Sequence, residues 1–214
     1  MTSHWQQWHA PYEDPTSSLS RRLAVVQRQI ARTLDEAPPG RIEIFSVCAG
    51  QGRDLIDVLA THPRGDDAHA LLVELDEGNV RWARERATQL SVPCEIVQAD
   101  AAESALYTNF RPAWLAVVCG VFGNISDDDI QATIGAMATM VRAGGSVVWT
   151  RHRLEPNLVP SIRQWFHDSG FEEAEYEDVV DSSAAVGRHR LVNPTVNAVP
   201  EQLFEFFGDG SGAI

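Results

Sequence analysis

The chain has 214 residues, 44% of them hydrophobic and 22% charged, which suits one α/β domain with a full core and is too short for two. Its net charge of −13 repels phosphate backbones and anionic membranes, arguing against nucleic acid or a membrane surface as partner. Cys48, Cys94 and Cys119 show no C-x-x-C spacing, so neither disulfides nor a metal site is indicated; with no membrane-length apolar run and no basic-apolar leader, a reducing cytoplasm is the expected compartment.

The first 14 residues hold His4, Trp5, Trp8, His9 and Tyr12 outside any clear period. Such a segment either packs on the sheet or forms a lid over a ligand. Asp14-Pro15 is the expected cap and first turn of a helix in which Leu19, Leu23, Val26, Ile30 and Leu34 recur at three- and four-residue steps, with Arg21, Arg22, Arg28 and Arg32 on the polar side. Pro38, Pro39 and Gly40 end it.

Residues 42–55 then read as a buried strand, a glycine turn and a helix start. Gly50 and Gly52 tolerate positive φ and are expected to bring backbone N–H groups close to a ligand. A dinucleotide fingerprint would need a third glycine where Leu55 stands. A second apolar strand is expected over 70–75, a helix over 79–90 with Val80, Ala83, Ala87 and Leu90 inward, and a third strand over 94–98. The second and third strands end at acids, Glu74 and Asp100. Parallel strands with helices between them put both at the carboxyl edge beside the glycine turn, and Glu74, 22 residues after Gly52, is placed to accept hydrogen bonds from ribose hydroxyls.

A fourth strand is expected over 115–119, a loop over 120–124, and a helix capped by Ser126 that Gly144-Gly145 closes, followed by a fifth strand over 146–150. A helix over 157–169 should bury Ile162, Trp165 and Phe166. The runs 171–180 and 186–191 have no helix-length segment between them, so they must pair antiparallel. His62, His69 and His167 read as solvated, and residues 208–214 as frayed.

The pattern resembles the class I S-adenosylmethionine-dependent methyltransferases over residues 42–191. The residues that carry the resemblance are Cys48-Ala49-Gly50-Gln51-Gly52, Val73-Glu74-Leu75-Asp76, Gln98-Ala99-Asp100-Ala101, Val118-Cys119-Gly120 and the terminal strand pair. It implies a three-layer Rossmann-like α/β fold: a seven-stranded sheet, mostly parallel with a C-terminal antiparallel hairpin, and helices on both faces. It also implies S-adenosylmethionine as cofactor, held by Cys48, Ala49, Gly50, Gln51, Gly52, Arg53, Glu74, Leu75, Asp100, Ala101, Cys119 and Gly120, and methyl transfer to a small molecule. The single domain, 1–214, would comprise a candidate lid (1–40), a cofactor-binding core (41–191) and an extension (192–214).

Two positions depart from the family pattern. Ser46 stands where an acid is usual and Cys48 where the first motif glycine is usual; Arg53 or Asp54 are candidates to compensate. Cys119-Gly120-Val121-Phe122 replaces the Asn-Pro-Pro-Tyr type of motif, which argues against amino methylation of bases or glutamine. A general base is needed only when the nucleophile arrives protonated, and His152, after the fifth strand, is the first candidate, ahead of His9 or Tyr12. Trp5, Trp8, His9, Tyr12, Asn124 and Arg151 are expected to line the acceptor site or its lid. Alternation along the strand predicts that His152 and the flanking Arg151 and Arg153 face opposite ways. Competing readings are a nicotinamide-dependent oxidoreductase and a cofactor-binding protein without transfer activity.

Overall fold

A computed structural model describes residues 12, 14, 16–195 and 198–207. Seven strands form one sheet in the order β3-β2-β1-β4-β5-β7-β6. They are β1 (Ile42–Val47), β2 (Ala68–Glu74), β3 (Cys94–Gln98), β4 (Ala113–Val118), β5 (Val141–His152), β6 (Phe171–Asp178) and β7 (Ala184–Leu191). β1 to β5 run parallel, while β7 enters antiparallel between β5 and β6. The expected fold class, including the reversed C-terminal hairpin, is the observed one.

The α-helices among the described residues are α1 (Ser18–Asp35), α2 (Arg53–Thr61), α3 (Glu77–Leu90), α4 (Asp127–Met140) and α5 (Val159–Asp168). Alternation along the strands divides the core between two faces. Leu115 and Val117 of β4 meet Val26, Ile30, Leu34, Leu55 and Leu59 from α1 and α2. Ala116 and Val118 meet Ile130, Ile134 and Phe166 from α4 and α5. No helix among the described residues is long and apolar enough to cross a membrane.

Several local expectations are corrected. The α1 cap is Ser17, whose hydroxyl accepts the Ser20 N–H at 3.0 Å, whereas Asp14 spends its carboxylate on the Thr16 N–H in the turn before it. Gly144-Gly145 does not close a helix. Helix α4 ends at Met140, and the glycines lie within β5, where the pairing slips between Ala113 and Leu115. A Cβ on Gly145 would stand 2.8 Å from the Trp114 carbonyl oxygen, so the doublet marks a bulge pressed against β4. Trp165 and Leu90 are half-buried rather than core residues.

His62 is not solvated: its side chain is 8% exposed, with Nδ1 accepting the Arg64 N–H and Nε2 3.2 Å from Asp35. His69 is half-buried, stacked on Phe110 and 2.6 Å from Glu43. Arg28 and Arg32, expected on a polar helix face, reach Glu177 and Glu175 of β6, while Arg188 of β7 binds Glu36 through two bonds at 2.7 and 3.0 Å. These pairs tie α1 to the sheet's hairpin edge.

Candidate active site

The site is assembled where β1, β2, β4 and β5 end. The turn after β1 holds Cys48 at φ +52°, Gly50 at +56° and Gly52 at +67°, three left-handed residues at alternate positions. For Cys48 that conformation costs about 1–2 kcal/mol, because its Cβ crowds the carbonyl. The turn folds onto itself. Ala49 N–H donates to the Val73 carbonyl (2.9 Å), Gly50 N–H to Glu74 Oε2 (2.7 Å), and Gly52 N–H to the Ala49 carbonyl (2.8 Å).

The expectation that Gly50 and Gly52 offer their N–H groups to a ligand is therefore overturned: both donors are satisfied internally. A Cβ on Gly52 would come within 2.6 Å of Leu72 and 2.7 Å of Ile56, so that residue lets the turn press against the core. Gln51 is buried and accepts the Arg53 Nε–H at 2.7 Å. The Arg53 guanidinium lies 4.4 Å from the Trp82 ring centre and 5.5 Å from that of Tyr12.

Glu74 closes β2. Its Oε1 accepts the Asp76 N–H at 2.9 Å while Oε2 takes the Gly50 N–H. Two backbone donors fix the carboxylate, yet each oxygen keeps an acceptor site. Leu75 follows with 67% of its surface exposed. Ala99 N–H donates to the Glu74 carbonyl, which brings Asp100 and Ala101 alongside; Asp100 Oδ1 accepts the Ala102 N–H, and the Ala101 carbonyl accepts from Tyr107. Burial pushes the Cys48 thiol well up, and the Glu74 and Asp100 charges push it further, so the thiol stays neutral.

A second group gathers on the α1–α2 face. Asp54, in the first turn of α2, is pushed up to about 6, chiefly by burial, against the opposing pull of the Leu55 N–H and Arg22. Arg22 donates to the Tyr12 hydroxyl at 3.0 Å, and burial raises the Tyr12 phenol despite that cation. Burial, then the Asp54 charge, raises the Cys119 thiol. Ser46, on the same face, is 1% exposed. Arg22 was missed as a site residue because on the sequence it is one arginine among four on a helix's polar side; the packing of α1 selects it.

The third group lines the end of β5. Thr150 Oγ1 accepts the Gly120 N–H (2.9 Å), Asn124 Nδ2 donates to the Gly120 carbonyl (2.8 Å), and Arg151 Nη1 donates to the Phe122 carbonyl. His152 Nδ1 is buried without a hydrogen-bond partner among the described residues. Burial pulls the His152 pKa below the usual imidazole value and the Arg151 charge pulls it further, with the Leu154 backbone opposing. The imidazole is therefore neutral at neutral pH.

Alternation does not separate Arg151 from His152. A Cβ on Gly123 would lie 3.7 Å from both Arg151 Nη1 and His152 Cδ2, since the 120–124 loop caps the strand end and is reached from both faces. Arg153 turns away, to Asp178 and the Ser182 carbonyl. The extension also contributes: Gln202 bridges to Glu103, Phe206 bridges to Ile125, and Phe207 N–H donates to the Asn124 carbonyl at 2.9 Å. This strap from the Ala102 side of the site to the 120–124 loop was missed, because no period or motif marks it. Trp5, Trp8, His9 and the 208–214 tail lie outside the described residues.

Residues 44–145 match the family model described as "Methyltransferase domain". None of the curated protein sequences matches the chain. Among solved structures it is similar to magnesium protoporphyrin IX methyltransferase from Synechocystis PCC 6803 with bound SAM (TM-score 0.69, 13% identity, 89% of this chain and 92% of that one). It is also similar to the PH0226 protein from Pyrococcus horikoshii OT3 (0.65, 11%, 89% and 100%). A third is precorrin-6y C5,15-methyltransferase from Geobacter metallireducens GS-15 (0.55, 11%, 78% and 87%). At these identities the likeness is one of fold.

Proposed function

We propose that this protein is a class I S-adenosylmethionine-dependent methyltransferase that transfers a methyl group to a small-molecule acceptor bound at the end of β5, a reading supported by the match of residues 44–145 to the methyltransferase-domain model. The observation that carries the reading is Glu74: a half-buried carboxylate locked between the Gly50 and Asp76 N–H groups, with acceptor sites left over.

The residues present fit the cofactor. The spare acceptor sites of Glu74 suit ribose hydroxyls, the exposed face of Leu75 suits a flat base, and Asp100 with Ala101 stands beside them. A Cβ on Gly120 would meet nothing within 4 Å, so that residue borders open space. Asp54 and Arg22, on the face where Ser46 lacks an acid, are placed to take the charged amino-acid end. S-adenosylmethionine supplies, when bound, a methyl group on a positively charged sulfur that is already activated for displacement.

What remains for the protein is orientation, water exclusion and one proton. The neutral imidazole of His152 accepts the proton of a hydroxyl, amine or ring nitrogen, and Thr150 and Asn124 hold the 120–124 loop beside it. Tyr12, bonded to Arg22, stands beside the Asp54–Cys119 group. A nicotinamide enzyme is disfavoured by Leu55 in place of the third glycine and by the reversed β7 within the sheet.

The test is S-adenosylhomocysteine release in the presence of a panel of small acceptors. Acceptor-dependent release that is lost in His152→Ala supports the proposal. Cofactor binding with no release from any acceptor would instead favour a binding protein.

A further inference from the structure

Among the described residues Arg151 is a buried charge without a counter-ion. The chain carries a net charge of −13, yet this guanidinium, 8% exposed, has no carboxylate within ion-pair distance among the described residues. Arg188, also buried in the neighbouring strand and likewise with an unpartnered Nε, has two bonds to Glu36. Arg151 makes one bond to the Phe122 carbonyl, while its Nε is buried and unpartnered. Asp127 is near enough to favour the charged form, but burial outweighs it. A buried cation without a counter-ion is unfavourable, and one bond to a carbonyl does not offset that.

Its position gives the charge a use. Arg151 Nη1 and His152 Cδ2 converge on Gly123, each 3.7 Å from the point where a Cβ would stand. We propose that Arg151 anchors an anionic group of the acceptor, a carboxylate or a phosphate, so that a second polar group of the same molecule is presented to His152. The acceptor class is thus a small organic acid with a separate nucleophile, and the proposal rests on the methyl-transfer reading. A guanidinium fork suits either anion, and the anion supplies the counter-charge that the described residues do not.

The test uses the full chain and follows the Arg151 Nε–Hε NMR signal, assigned by its absence in Arg151→Lys, during separate titrations with benzoate, benzamide and inorganic phosphate. Benzoate or phosphate should move the signal and benzamide should not. A response to benzoate alone assigns a carboxylate acceptor, and a response to phosphate alone a phosphorylated one. Arg151→Gln should weaken binding of the active anion at least ~10-fold while S-adenosylhomocysteine affinity stays unchanged. An unmoved signal in the wild type, or equal anion binding in Arg151→Gln, would reduce Arg151 to a strut for the 120–124 loop. Should Arg151→Gln fail to fold, the wild-type titration decides alone. Failure of the wild type to bind S-adenosylhomocysteine would sink the methyl-transfer reading instead, and the anion titration reads independently of it.

Discussion

The N–H of Gly50 donates to Glu74 Oε2 at 2.7 Å, joining the glycine turn after β1 to the acid that ends β2. One carboxylate thereby sets the shape of the turn and keeps acceptor sites for the proposed cofactor. The glycines serve close packing of the turn, and on the proposed reading the acid does the recognising.

Cys48 stores strain in that turn. It holds φ +52°, which glycine adopts freely and alanine does not. Cys48→Gly should therefore be more stable than Cys48→Ala by about 1 kcal/mol, reversing the usual penalty of glycine against alanine. Urea denaturation of the two variants checks this, and an alanine variant as stable as the glycine one would mean the backbone relaxes.

His152 should act as an unprotonated base. Its replacement by Ala should lower turnover ~100-fold with cofactor binding intact. Because burial and Arg151 lower its pKa, the acid limb of the kcat profile should fall below pH ~6.5, the ordinary imidazole value. An acid limb well above that value would assign the proton to another group.

His189 gives the fold a pH dependence of its own. It is 1% exposed, accepts the Trp149 indole N–H on Nδ1 at 3.0 Å, stacks on Phe166, and has Glu173 at 3.8 Å. Burial pulls its pKa down to about 4. Between that value and the unfolded value of ~6.5 the unfolded chain binds the extra proton, so stability is complete above ~6.5 and declines as pH falls through the window, by an amount on the order of 3 kcal/mol. Asp54, raised to about 6, gives the opposite slope over part of this range, so the imidazole itself must be followed. An NMR titration should place His189 near 4; a midpoint near 6.5 would contradict its burial as a neutral ring.

Much of the architecture is legible in the sequence because apolar runs and turn residues state it directly. β3 occupies the expected residues, Glu74 and Asp100 flank the glycine turn, and the last two strands pair antiparallel as the short connection requires. What is not legible depends on packing. Gly144-Gly145 reads as a stop on one dimension and is a bulge once β4 lies beside it. Arg22 and Arg28 look alike along α1, yet one meets Tyr12 and the other a β6 acid. The strap of residues 201–207 has no periodic signal because single bridges and isolated backbone bonds hold it in place.

Glu74 is proposed to bind the ribose of S-adenosylmethionine. Its most direct test is calorimetric titration of S-adenosylhomocysteine into the wild type and Glu74→Ala. Charge-assisted hydrogen bonds of about 1.5–3 kcal/mol predict that the wild type binds and that the variant, still folded, binds one to two orders of magnitude more weakly. Equal affinity in the two proteins would remove Glu74 from the cofactor site.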